Sequence, residues 1–125
     1  MGLVYDNIID ADGHILEPAD TWERYIDSRY RDRALRIRSH DGKECLEMDG
    51  KKSRFFDVRV LSALGGMGKN TAEIERMMEK PYPGSAPFGS MDPGERVALL
   101  DREGIAKSIL YPSLGLTWEC ELEDV

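Results

Sequence analysis

Apolar positions come in short, separated clusters, and their spacing changes along the chain. Ile8-Ile9-Asp10-Ala11 is a brief apolar run that breaks at Asp12-Gly13, which reads as a buried strand, placed at 8–12, entering a loop. Leu3-Val4-Tyr5 approaches it across Asp6-Asn7. Pro18 suits the first position of a helix, and Trp22, Tyr25 and Ile26 recur at i, i+3, i+4 as one apolar stripe. From Leu35 the period becomes two: Leu35 and Ile37 alternate with Arg36 and Arg38. Asp41-Gly42 and Asp49-Gly50 then punctuate short runs that end at Phe56. Asp-Gly between alternating runs is a hairpin signal, so 35–56 is expected to form a three-stranded antiparallel meander lying over another element.

The stretch 62–90 is irregular, with Gly65-Gly66-Met67-Gly68, a helix over 71–80 and a Pro-rich loop over 81–87. The signals then sharpen. Asp92 can cap a helix, Pro93 occupies its first turn, Glu95 follows three residues after the cap, and Val97, Leu99 and Leu100 form its apolar face. Gly104 stops this helix (92–103), and a second strand, 106–111, runs to Pro112. The acidic tail from Thr117 can open a further helix. Strand, helix and strand in this order make a βαβ unit with a parallel sheet, interrupted by an insertion over 15–91. The fold class is therefore α/β.

Composition narrows the function classes. The 125 residues carry a net charge of −7, 41% are hydrophobic and 33% charged, a balance suited to a globular domain or a piece of one. An acidic chain is a poor partner for nucleic acid or an anionic membrane. No apolar run approaches the roughly 20 residues of a membrane span. The N-terminus has no basic and apolar leader pattern, and two cysteines make no disulfide framework, so the expected home is the cytoplasm.

The densest chemistry is Asp10-Ala11-Asp12-Gly13-His14. Alternate residues of a strand share a face, so Asp10, Asp12 and His14 are expected to point together from its C-terminal end, where parallel α/β folds place their sites. A carboxylate and an imidazole two residues apart can hold one divalent ion; the plainer alternative is a turn at Asp12-Gly13 with His14 capping the next segment. His40, beside Asp41-Gly42, reads as a solvated turn residue, and Cys45 and Cys120 as ordinary thiols. Glu17 can face the site or act as a helix N-terminal carboxylate. Ser113 can touch substrate or end the strand. A nucleoside triphosphate module fails, since Ala63 and Asn70 stand where the phosphate-loop pattern around Gly68-Lys69 requires Gly and Ser or Thr. The Gly-rich segment reads instead as a flexible loop over the mouth.

The run from Ile8 to Pro18 (IIDADGHILEP), with Trp22 after it, resembles the start of the amidohydrolase-related metal-dependent hydrolases, the branch of aminocarboxymuconate semialdehyde and γ-resorcylate decarboxylases. Met91 to Leu116 (MDPGERVALLDREGIAKSILYPSLGL) resembles that family's first barrel helix and second barrel strand. The resemblance implies a (β/α)₈ barrel with one divalent ion, zinc or manganese, at its C-terminal mouth. It places Asp12 and His14 as ligands and Asp10 behind them, orienting a ligand by hydrogen bond. Many members carry His or Glu where Asp12 stands. It also implies hydrolysis or non-oxidative decarboxylation of a small carboxylate or cyclic substrate, and homodimers are common in the family. A barrel needs roughly 250 residues. The chain is thus expected to be the N-terminal fragment of a barrel, silent alone, with the remaining ligands outside it. The competing expectation is a non-catalytic α/β binding or regulatory module indifferent to Asp12 and His14.

Overall fold

The computed structural model describes residues 7–56 and 60–121. Leu3-Val4-Tyr5 and the last four residues of the acidic tail lie outside them. Strand β1 (Ile8–His14) pairs in parallel with β5 (Ile105–Tyr111). Between them in sequence come α1 (Thr21–Tyr25), a 3₁₀ turn (Ser28–Arg33), β2 (Arg36–His40), β3 (Lys43–Met48), β4 (Lys51–Lys52), α2 (Val60–Ala63), α3 (Thr71–Met78), α4 (Tyr82–Ser85) and α5 (Pro93–Glu103). A second 3₁₀ turn, Leu114–Cys120, follows β5. The architecture is mixed α/β, with a two-stranded parallel sheet and the separate antiparallel sheet β2-β3-β4.

The meander follows from its turns. His40 pairs with Lys43 and Met48 with Lys51, which leaves only Asp41-Gly42 and Asp49-Gly50 in the loops. All four loop residues have positive φ, between 52° and 75°. That is the backbone of a tight hairpin turn whose twist matches its strands. Arg33 clamps the second turn through Asp49, with Nε–Oδ1 at 2.7 Å.

Helix α5 forms as its ends dictate. Asp92 Oδ1 accepts the Glu95 amide at 2.9 Å, Pro93 sits in the first turn and Gly104 closes the helix at φ 71°. The Glu95 side chain does not return to the cap. Its carboxylate accepts the Gly89 amide at 3.0 Å and so ties the preceding loop down.

The core lies away from the parallel sheet. Leu16, Leu35, Leu46, Met48, Leu61, Tyr82 and Leu114 form one buried cluster, with Trp22, Ile37 and Phe56 packed against it. The meander, α2, α4 and the segments leaving β1 and β5 thus share one core, as the poverty of apolar residues in 35–56 required. Glu44 and Ser62 staple it: Glu44 Oε2 accepts the Tyr82 amide at 2.6 Å, and the Ser62 hydroxyl donates to Lys80 O at 2.7 Å.

The βαβ unit, by contrast, is bare. No residue of α5 is buried, and Ile9, Val97 and Ile109 are 61%, 59% and 51% exposed. Among the described residues, no helix is long and apolar enough to cross a membrane.

Two expectations shift. Pro18 precedes α1 without entering it, because Thr21 N bonds Pro18 O in a turn and the helix begins at Thr21. The stripe also loses Tyr25, which is exposed under the Arg24 guanidinium, 5.4 Å from its ring centre. A five-residue helix is too short to carry three stripe positions to one surface.

Leu46 is fully buried at the centre of this core. Leu46→Ala should cost about 2–5 kcal/mol through lost burial and the cavity left behind. Urea unfolding at neutral pH measures it, and a loss below about 1 kcal/mol would show that this cluster is not what holds the chain together.

Candidate metal-binding strand end

β1 and β5 end side by side, with His14 opposite Tyr111. Between Asp10 and Gly13 the register slips: three steps along β1 match two along β5, from Ser108 to Leu110. One extra residue is accommodated as a bulge, which re-aims the side chains that follow.

Asp10 builds the bulge. Its Oδ1 accepts the Asp12 amide at 3.1 Å, and its Oδ2 accepts the Ser108 hydroxyl across the strand pair at 2.9 Å. The Asp12 amide holds the Asp10 carboxyl below the usual carboxylate range, helped by the Ser108 hydroxyl and more distantly by Arg96. Gly13 is buried in the same knot. A Cβ there would run into Ser108 Oγ and lie 2.7 Å from Asp10 Oδ2 and 3.1 Å from Ile109 O. Only glycine leaves this room.

The bulge corrects the expected alternation. Asp10, Asp12 and His14 do not form one row: Asp10 bonds across to β5, whereas Asp12 and His14 are exposed and face each other. Asp12 Oδ1 lies 3.7 Å from His14 Nε2. Two donors each about 2.0–2.2 Å from one ion lie at most about 4.4 Å apart, so this pair fits a shared divalent cation. The donor chemistry, one carboxylate and one imidazole, fits as well. It is two ligands and no more: among the described residues, no group of three or more His, Cys, Asp or Glu is placed to hold a metal.

Glu17 is placed differently from a residue facing the mouth. It is 3% exposed, and its carboxylate is spent on backbone. Oε1 accepts the amides of Ser113 and Gly115 at 3.0 and 2.9 Å, and Oε2 accepts that of Leu114 at 3.0 Å. It is a carboxylate at a helical N-terminus, but of the 3₁₀ turn after β5, reached from almost a hundred residues upstream. Ser113 stays near the pair. Its hydroxyl donates to Ile15 O at 2.7 Å and lies 3.5 Å from His14 Nδ1.

His40 is exposed at the end of β2, 3.9 Å from Glu47 and away from the strand end. Cys45 is buried, which pushes its thiol up and keeps it a poor nucleophile. The glycine segment is packed in its first half, where the Gly66 amide bonds Ala63 O at 2.8 Å and Gly65 abuts Pro87, whereas Met67 and Gly68 are exposed.

Three residues were not singled out from sequence. Ser108 becomes visible only once β1 and β5 are paired. Arg96, whose Nη2 donates to His14 O at 2.6 Å, lies in a helix that gives no hint of its neighbour. Tyr82 opens the short helix α4 in a segment whose prolines read as loop, and it is fully buried, its hydroxyl donating to Glu17 O at 3.0 Å. Burial raises its phenol well above the usual value, and the Glu17 carboxylate adds to the rise.

A cleft of about 280 Å³ opens beside His14. His14, Ser113 and Arg96 stand along it, with Leu64, Met67 and Phe88 as apolar wall.

No family model matches the sequence, and no curated protein does. Among solved structures, the chain is similar to an amidohydrolase from Mycobacterium avium subsp. paratuberculosis K-10, with a TM-score of 0.59 and 20% identity. The match covers 90% of this chain and 32% of that one, so the chain spans about a third of that structure's length. At this identity the likeness shows the fold alone: this chain folds as a part of that structure does.

Two predictions follow from the geometry. Gly13→Ala should open the strand pair, lowering stability and disordering the strand end that carries His14; loss of amide protection at Ile109 and Tyr111 in hydrogen exchange reports it, and unchanged protection would refute the close packing. Tyr82 supplies the pH test. Its folded pKa lies above its unfolded value of about 10, so its contribution is complete below pH 10 and is lost as pH rises beyond it. Tyr82→Phe should therefore cost about 1 kcal/mol at pH 8, and the gap to the parent should narrow at pH 11 in paired urea titrations.

Proposed function

We propose that this chain supplies the first-strand half of a mononuclear divalent-metal site in an amidohydrolase-related (β/α)₈ enzyme. Asp12 and His14 are the ligands it contributes. The observation that carries the reading is the Asp12–His14 pair, 3.7 Å apart at the C-terminal end of a strand in a parallel βαβ unit. The bare faces of that unit and the 32% coverage of the similar amidohydrolase support it, because further strand–helix units would cover those faces. The ion is zinc or manganese, both served by a carboxylate and imidazole set.

A bound divalent ion would supply Lewis acidity toward a carbonyl or carboxylate. The chain's own residues do the positioning. Asp10 and Gly13 hold the bulge that turns Asp12 toward His14. Arg96 fixes the His14 carbonyl. The cleft beside His14 takes the substrate body, with Phe88 and Met67 along its apolar wall and Ser113 at its polar end. The substrate is a small carboxylate or cyclic compound, and the reaction a hydrolysis or a non-oxidative decarboxylation.

Titration of the metal-free chain with Zn²⁺ and with Mn²⁺, followed by calorimetry and by the His14 ring signals, tests the reading. One ion per chain should bind weakly, as expected of two ligands. His14→Ala and Asp12→Asn should each abolish that binding while circular dichroism stays unchanged. Equal uptake by the parent and both variants would place the metal elsewhere and favour a binding module.

A further inference from the structure

We propose that Glu17 is a positioning residue that acts through Ser113 to fix the tautomer of His14, leaving Nε2 free to bind metal. The proposal deepens the metal reading and rests on it for its purpose, but its geometry stands without metal.

The chain of contacts is short. Glu17 is buried, with its two oxygens bonded to three consecutive amides. A carboxylate so enclosed fixes the backbone of residues 113–115, since all three amides share it as their acceptor. Fixing Ser113 fixes its hydroxyl. That hydroxyl donates its one proton to Ile15 O at 2.7 Å, so toward His14 it can only accept. His14 Nδ1 is the ring atom that faces it, at 3.5 Å. A proton on Nδ1 is therefore matched by an acceptor, whereas a bare Nδ1 would confront oxygen lone pairs.

The opposing influence is Asp12, which lies near Nε2 and would draw a proton there. It is the weaker one. At 3.7 Å Asp12 is beyond hydrogen-bond reach, and its side chain is 87% exposed, so water competes for it. The neutral ring should thus carry its proton on Nδ1. The Nε2 lone pair then points to the side where Asp12 stands, as a metal ligand requires.

The core sets this arrangement from behind. Tyr82 donates to the Glu17 carbonyl, and Leu114, whose amide Glu17 holds, is fully buried. The ring orientation is thereby tied to the main hydrophobic cluster rather than to the exposed strand end.

The test is the ¹⁵N shift pair of the His14 ring in the metal-free chain at pH 8, with His40→Gln present to leave a single histidine. The parent should show Nδ1 protonated and Nε2 bare. Ser113→Ala should shift the tautomer ratio several-fold toward Nε2–H, and Ser113→Thr, which keeps the hydroxyl, should restore it. Glu17→Gln places an NH₂ against at least one amide donor, so it should shift the ratio in the same direction. The Glu17→Gln, Ser113→Ala double variant should be no worse than Ser113→Ala alone. A parent with Nε2 protonated overturns the proposal. So does a Glu17→Gln chain that unfolds more easily yet keeps the parent shifts, since its role is then structural only. Should Glu17→Gln fail to fold, the Ser113 pair decides: an unchanged ratio in Ser113→Ala overturns the proposal. Metal titration of the same samples separates the two readings, because uptake can fail while the tautomer pattern holds, and the reverse.

Discussion

A single buried carboxylate ties the segment leaving β1 to the turn that follows β5. Glu17 leaves the end of β1, turns inward and closes on the three amides that follow β5. A buried carboxylate is tolerable only when its charge is met by oriented donors, and here the donors are backbone groups that themselves needed an acceptor at the start of a 3₁₀ turn. Each side solves the other's problem. The consequence is geometric: the two strand ends are held together, and the turn that carries Ser113 lies against the strand end that carries His14. The core reinforces this through Tyr82, which bonds the Glu17 carbonyl and the Glu44 carboxylate at once.

The distribution of burial is the second organising fact. A βαβ unit in a finished α/β domain has helix on sheet and neighbours on both edges. Here the unit's apolar residues face water, and the inserted meander and short helices carry the core instead. Stability and site are therefore held by different parts. The insertion supplies a packed platform, and beside it the pair β1-β5 has no further strand on either edge among the described residues.

Local chemistry was legible in the sequence wherever one residue sets the backbone by itself. The Asp-Gly pairs gave both hairpins their register, and Asp92, Pro93 and Gly104 bounded α5, because turn and cap preferences act over a few residues. What was illegible depended on partners distant in sequence. Glu17 finds its amides almost a hundred residues away, and no local pattern distinguishes a carboxylate that will cap its own helix from one that will cap another. Tyr82 lies among prolines and glycine, where the local signal says loop and cannot say buried. Trp22 entered the expected core while Tyr25 did not, since a single helical turn has no room for a full stripe.

The strand-end chemistry shows the same division at closer range. Period-two alternation put Asp10, Asp12 and His14 on one face, and it would hold in a regular strand. The exception comes from Ser108, invisible until β5 is laid beside β1. Its hydroxyl captures Asp10, the captured carboxylate captures the Asp12 amide, and the extra residue becomes a bulge. One carboxylate is withdrawn into the strand pair, and Asp12 and His14 are left facing each other across 3.7 Å. The glycine between them is then fixed by steric necessity rather than by turn preference, because Asp10 and Ser108 occupy the space its side chain would need. The motif read as aspartate, glycine and histidine in sequence is, in the fold, a device for aiming two side chains by bending the strand beneath them.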